Sequence, residues 1–260
     1  MNRRDLVLLS ALAALFITTS AAFAQAAEKV YRVGVLAPVG IRPIETFKER
    51  LRELGWKEGQ NNLAHPGGNV TGFASQSFEP EEKRFELLRE LVPGMTRIVM
   101  LGNIGNLYAD LAIKRLEPLV EAAGLKFEGV KIDAQSGLEG GLDAVRRARP
   151  DGVLVAVPAF YTPRVYRPMV AFMAANRLPA IYSNREIVEA GGLIAYSTNF
   201  DDLLRQAAGY VDKILKGASP GELPVQQAAT FELLVNLTTA KALGLTIPPM
   251  IIARADEIIE

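Results

Sequence analysis

Three observations in the sequence predict an α/β fold, a parallel sheet with helices on both faces. Apolar runs at 97–102 and 152–157 lack alternation, as do strands covered on both sides. Between such runs, apolar residues recur at three- and four-residue steps, the pattern of helices packing back onto a sheet. The two kinds of segment alternate in series, which implies βα units.

Residues 30–36 read as a strand, and beyond the 38–43 loop Phe47, Leu51 and Leu54 line a helix that Gly55 ends. The stretch 57–63 is short and polar, and His65-Pro66-Gly67-Gly68-Asn69 is a turn or crossover. Glu79-Pro80-Glu81-Glu82 opens a helix with early proline and first-turn acids, buried through Phe85, Leu88, Leu91 and Val92. The central unit follows: a strand from Arg97, the loop Gly102-Asn103-Ile104-Gly105-Asn106, and a helix striped by Tyr108, Ala112, Leu116, Leu119, Val120 and Ala123. A strand at 127–132 precedes the capping box Ser136-Gly137-Leu138-Glu139 and a helix buried through Leu138, Leu142 and Val145. The strand at 152–157 leads to Thr162-Pro163, which starts a helix lined by Tyr166, Met169, Val170 and Met173 before a strand at 180–182. A short helix from Arg185, a Gly191-Gly192 turn and a strand through Tyr196 come next. Asn199, Asp201 and Asp202 open a long helix striped by Leu204, Ala207, Ala208, Val211, Ile214 and Leu215 and closed at Lys216-Gly217. After a linker at 220–224, Phe231, Leu233 and Val235 alternate as a strand, and 237–243 is a short helix before Pro248-Pro249.

Composition narrows the function. Lys+Arg and Asp+Glu are equal at 29 each, so no global positive field exists and nucleic acid is excluded as a partner, although local patches remain open. The absence of Cys excludes disulfides, thiol catalysis and Cys-ligated metal. Arg3-Arg4, an apolar run over 6–17 and Ala22-Phe23-Ala24 predict a secretory signal peptide at 1–24. Thr18, Thr19 and Ser20 interrupt the apolar run short of the roughly 20 residues a membrane span needs. With no N-terminal Cys to carry a lipid and no membrane anchor, the mature chain is expected free in the periplasm; export by the general or the twin-Arg route stays open.

Enzyme motifs are missing: no G-x-S-x-G elbow, no phosphate loop and no G-x-G-x-x-G fingerprint, and the only His is His65 in a Pro-Gly loop. The chain is therefore read as a binding protein without catalytic residues, metal or cofactor. Its candidate ligand contacts lie in loops after consecutive strands, which would converge on one rim. These are Asn103 and Asn106, Phe160 and Tyr161, Tyr182 and Glu186, and Tyr196, with Pro38 after the first strand completing the set. Amides and aromatics suit a small zwitterionic or aromatic ligand, with Glu186 facing its ammonium group. Structural roles stand beside these: Asn106 as a helix cap, Asn103 as a turn residue, Tyr182 and Tyr196 as plugs of the sheet end.

Three separated motifs carry a family resemblance. They are Pro66-Gly67-Gly68-Asn69-Val70-Thr71-Gly72, Arg185-Glu186-Ile187-Val188-Glu189-Ala190-Gly191-Gly192, and Asn236-Leu237-Thr238-Thr239-Ala240-Lys241-Ala242-Leu243-Gly244-Leu245-Thr246-Ile247-Pro248-Pro249. From about Val30 to its end the chain resembles the ABC-transporter substrate-binding proteins of the tryptophan/tyrosine-type group. The resemblance implies a type I periplasmic-binding-protein fold: two Rossmann-like lobes with parallel sheets, three crossovers, a ligand trapped by hinge closure, and a membrane permease and ATPase as partners. It places crossovers near 72–75, 184–192 and 219–224, hence a first lobe of 28–74 with 191–221 and a second of 75–190 with 222–260. The chain departs from the family pattern at Ile104, where proline is usual, and at Pro158-Ala159, where an aspartate is frequent.

The implied function is the solute-binding subunit of an importer, taking an amino acid or related metabolite. The alternatives are a periplasmic sensing module on the same fold and an α/β enzyme. One βα unit alone precedes Pro66-Gly67-Gly68, whereas the fold needs several, so the first lobe is expected to be truncated by an internal deletion. Two missing units at about 30 residues each correspond to roughly 60 residues. The stripes at Phe47, Leu51, Leu54, Leu204, Ala208 and Val211 are then expected to be partly exposed and ligand trapping to be weak.

Overall fold

The computed structural model describes residues 43–54, 71–75, 79–103, 107–132, 137–156, 162–224 and 226–260. The strand expected at 30–36 and the polar stretch and turn at 57–70 lie outside them. The helices are α1 (Pro43–Glu53), α2 (Glu79–Leu91), α3 (Leu107–Ala122), α4 (Gly137–Ala148), α5 (Pro163–Ala175), α6 (Arg185–Glu189), α7 (Phe200–Leu215), α8 (Leu237–Leu243) and α9 (Pro249–Arg254). Two short strands, β1 (Phe73–Ala74) and β7 (Gln226–Gln227), pair in parallel with each other. The remaining strands are β2 (Arg97–Asn103), β3 (Lys126–Ile132), β4 (Gly152–Val155), β5 (Ala180–Tyr182), β6 (Ile194–Thr198), β8 (Phe231–Asn236) and β9 (Glu257–Ile259). They form one sheet in the order β3-β2-β4-β5-β6-β8-β9, parallel at every step except β6 to β8.

The sheet is covered on both faces, as its unalternating runs predict. Val99, Leu101, Val153, Val155 and Tyr182 point toward α4, α5 and α6. Ile98, Met100, Leu154, Ile181 and Ile194 point toward α2, α3 and α9. Ile98, Val99, Met100 and Leu101 are all fully buried, and each such side chain contributes about 1.5–3 kcal/mol of transfer free energy. Not every buried group is apolar. Glu81 and Arg84 of α2 are buried and paired at 2.5 Å, the Tyr108 hydroxyl donates to Glu81 Oε1, and Arg84 Nε donates to the Tyr196 carbonyl. Glu81, a solvated first-turn acid by sequence, thus ties α2 to α3 and β6, and burial pushes the Tyr108 hydroxyl pKa up.

Two expectations about lobe boundaries are corrected. The segment 191–198, assigned to the first lobe, contributes β6 to the seven-stranded sheet, where Ile181 pairs with Ile194 and Tyr182 with Ala195. Ile194 and Ala195 are fully buried there. The stretch 184–192 is accordingly no crossover: it forms α6 and returns to the same sheet. The chain leaves the sheet at Thr198-Asn199 instead, beside two other passing segments. Thr198 Oγ1 donates to the Ser75 carbonyl, Asn199 N to Thr230 O, and Gln226 N to Gly72 O.

Outside the sheet, α1 and α7 pack along each other, joined by Thr46 Oγ1 donating to Asp201 Oδ1 at 3.1 Å. Their stripes are more sheltered than expected: Ala208 is fully buried, and Leu51, Leu54, Leu204 and Val211 are half-buried, because each helix covers the other. The side chain of Phe47 lies outside the described set.

Gly192 marks the tightest turn of the α6–β6 connection. A Cβ there would sit 2.8 Å from both the Ile187 carbonyl oxygen and Tyr182 Cε2. Gly192→Ala is therefore expected to destabilise the fold by about 1–3 kcal/mol through overpacking, measured by urea unfolding. Gly209→Ala, with open space around the added methyl, is the control and should not destabilise.

Candidate functional site

Parallel strands β2, β4, β5 and β6 end on one edge of the sheet, and antiparallel β8 begins there. A cleft of about 90 Å³ opens on this edge, lined by Asn184, Arg185, Glu186, Ser197, Asn199, Phe200, Asp201 and Glu232. One wall is the start of α6, set directly after β5 by Asn184, whose Oδ1 accepts from Glu186 N at 2.9 Å. The opposite wall is the start of α7, where Asn199 Oδ1 accepts from Asp202 N at 2.9 Å. The cleft thus lies between the sheet and the α1–α7 pair.

Its charge is organised around Arg185. The guanidinium reaches Glu232 Oε2 and Glu257 Oε2, each at 2.7 Å, and Glu189 Oε1 at 3.3 Å. Fork geometry suits arginine to several carboxylates at once. Ser197 Oγ adds a long contact to Glu232 Oε1. Burial raises the Glu232 carboxyl pKa although Arg185 opposes it. Glu186 also has a raised pKa, chiefly from burial, and makes no ion pair among the described residues. With Arg185 committed to its three carboxylates, the lining carries a surplus of negative charge from Glu186 and Asp201.

The sequence-selected residues divide accordingly. Glu186 lines the cleft, and Asn103 closes β2 on the same edge, opposite Ile132. Tyr182 is 1% exposed, packed into the core beside Gly192, with its hydroxyl pKa pushed up by burial. Tyr196 points to the opposite face of the sheet, toward α2, and stacks on Phe231 at 5.6 Å between ring centroids. In this conformation neither tyrosine lines the cleft; both fill the sheet end, the structural role that stood beside the ligand role. Pro38, Asn106, Phe160 and Tyr161 lie outside the described residues. Arg185, Ser197, Asn199, Asp201 and Glu232 were not selected as ligand contacts. A glutamate inside the apolar strand 231–236 is the one available signal, since a charge there must face a partner or an opening.

A sheet-based binding protein with an acidic strand-end cleft is the class that fold and site define. The chain belongs to the ABC transporter substrate binding protein family, whose model matches residues 52–259. That family comprises substrate-binding proteins, not enzymes. A tyrosine-binding protein of Clostridioides difficile (strain R20291) is 26% identical over 192 residues, which are 71% of this chain and 52% of that protein. The chain thus spans about half the length of the curated relative it matches. A conserved domain protein of Vibrio cholerae superposes with a TM-score of 0.63 at 26% identity, covering 77% of this chain and 64% of the other. The ABC domain of Streptococcus pneumonia in complex with L-Trp gives 0.68 at 18% identity over 84% and 95% of the two chains and shares the fold.

Arg185→Ala is expected to leave Glu232 buried and without its cation and to cost about 1–3 kcal/mol in urea unfolding. Because unpaired carboxylates repel only when ionised, the loss should grow from acid toward neutral pH. Arg185→Lys should restore part of it, since an ammonium cannot fork to three acceptors.

Proposed function

We propose that this chain is the extracytoplasmic solute-binding subunit of an ABC importer and takes an amino acid or related metabolite at the strand-end rim. Glu186 is the observation that carries the reading: a partly buried carboxylate that, among the described residues, has no ion pair and lies in a cleft whose one lining cation is already committed. Such a group favours a ligand ammonium. Asn103 at the end of β2, together with Asn106, Phe160 and Tyr161, which follow β2 and β4 in the sequence, would meet the rest of the ligand. The tyrosine-binding relative and the L-Trp complex of a fold neighbour support an amino acid with an aromatic side chain.

In this reading residues 1–24 direct export to the periplasm, and a permease with its ATPase receives the ligand. The first lobe consists of 28–74 with the chain from Asn199 to about 221, the second of the seven-stranded sheet and its helices. An internal deletion leaves α1 and α7 as the main wall opposite the sheet, which makes trapping weak.

Thermal shift with L-tyrosine and L-tryptophan tests the proposal. A ligand at 100-fold its Kd should stabilise the protein by about 2.7 kcal/mol. A folded sample whose melting point no amino acid moves would remove the support for solute binding. Glu186→Gln and Asn103→Ala should each weaken binding by about 1–3 kcal/mol, because each leaves a ligand group unpaired.

Titration gives an independent check. The ammonium pairs with ionised Glu186, so affinity rises with pH through the carboxyl's elevated pKa and falls on acidification earlier than for a solvated glutamate. Calorimetric titration across the acid range should show this slope in the parent and a flat profile in Glu186→Gln.

A further inference from the structure

The helical layer formed by α4 and α5 carries a charge pattern that the solute site does not use. From Gly152 to Asn184 the sequence contains no Asp, Glu or Lys, yet it holds Arg164, Arg167 and Arg177. Arg147 and Arg149, at the end of α4, join them. All five are exposed, and none makes an ion pair among the described residues. The acids of this layer are accounted for: Asp143 pairs with Arg146, Asp151 accepts from Thr96 N, Thr96 Oγ1 and Arg97 N, Glu189 pairs with Arg185, and Glu139 sits on the first turn of α4. Arg146 also lies over the Phe172 ring at 5.1 Å and so closes the seam between the two helices.

Backbone conformation sets two of these arginines apart. Where α3, α7 and α8 end, the left-handed residue is Gly124, Gly217 or Gly244, the usual solution. Where α4 and α5 end, that conformation is held by Arg149 (φ 49°) and Arg177 (φ 51°), against the steric preference of a side chain. The strands that follow are neighbours in the sheet, with Val153 opposite Ala180, so both guanidinium groups emerge from adjacent turns of one edge. Between the ends of α5, the exposed positions are Pro168, Ala171, Ala174 and Ala175, too small to hold a flat surface away.

We propose that this face binds the phosphate groups of an anionic phospholipid surface. Guanidinium groups pair with phosphates in bidentate fashion, and a face built of arginine without lysine fits that chemistry better than a general attraction for acids. With no large apolar side chain among these exposed positions, the contact is peripheral, electrostatic and screened by salt. The whole chain has no net positive charge, so no general attraction for anions adds to that of this face.

Co-sedimentation of the full mature chain with large unilamellar vesicles tests the proposal. Vesicles of equimolar phosphatidylglycerol and phosphatidylcholine should retain it at about 50 mM salt and release it at about 500 mM, and pure phosphatidylcholine should not retain it. The double variant Arg149→Gly with Arg177→Gly relieves the left-handed backbone, so it should fold as the parent does while losing roughly tenfold in partitioning. Arg164→Gln with Arg167→Gln, at the other end of α5, should lose a comparable factor. Equal retention on both vesicle types, no retention on phosphatidylglycerol, or unaltered partitioning in both folded variants would overturn the assignment. Capture by an acidic protein but not by vesicles would overturn it equally. Amino-acid thermal shifts should be unchanged in both variants, which separates this face from the solute site.

Discussion

The reversal of a single strand decides what this protein presents at its rim. In a wholly parallel sheet, the cleft edge would receive strand ends alone and the loops that follow them. Because β8 runs against β6, its beginning arrives at that edge, and the register sets Glu232 opposite Ser197 and Phe231 opposite Thr198. A carboxylate from a distant part of the chain thereby meets Arg185, which issues from the end of β5. Asp256, just before β9, anchors the reversed strand by accepting from Leu233 N at 2.8 Å.

From that meeting follows the electrostatic character of the cleft. Burial penalises the ionised forms of Glu186 and Glu232, and Glu232 is held at the rim because Arg185 and Ser197 offset part of the penalty. Arg185 in turn is saturated by carboxylates on α6, β8 and β9, which joins the central strands to the C-terminal edge. Glu186, one residue further along α6, stands outside this arrangement. The same turn of chain supplies both the neutralised group and the unneutralised one, separated by one position.

Much of the sheet was legible because its strands are long apolar runs and its helices have clear stripes. Residues 97–103 and the helix after them, the α4 cap region and the long α7 needed only periodicity and turn chemistry. The assignment of β6 was not legible, because a five-residue helix followed by Gly191-Gly192 looks like a crossing between lobes, and only pairing with β5 and β8 returns it to the sheet. Neither α9 nor β9 stood out, being short and lacking a full period. Glu81 read only as a first-turn acid, and its burial with Arg84 depends on Tyr108 and the Tyr196 carbonyl, far away in sequence. At the rim, Glu186 was found through its loop. Arg185 and Glu232 were not legible as cleft-lining residues because their pairing spans 47 positions and leaves no local pattern. Which of their two roles the tyrosines take in the sheet was not legible either: with Tyr182 opposite Ala195, Tyr196 must point to the other face, and that register cannot be read from either strand alone.

The two-residue ribbon of β1 and β7 has a mechanical meaning. Phe73 pairs with Gln226 and Ala74 with Gln227, Phe73 also sits edge-on to Tyr210 of α7, and the Tyr210 hydroxyl donates to the Pro224 carbonyl. Hydrogen bonds in a parallel pair resist one strand sliding along the other, yet a ladder of two rungs offers little stiffness against bending across it. Together with the Thr198 contact to Ser75, it leaves rotation about the ribbon as the soft coordinate and translation as the stiff one. Any swing of the helical pair over the sheet therefore sweeps an arc, with leverage set by distance from the ribbon.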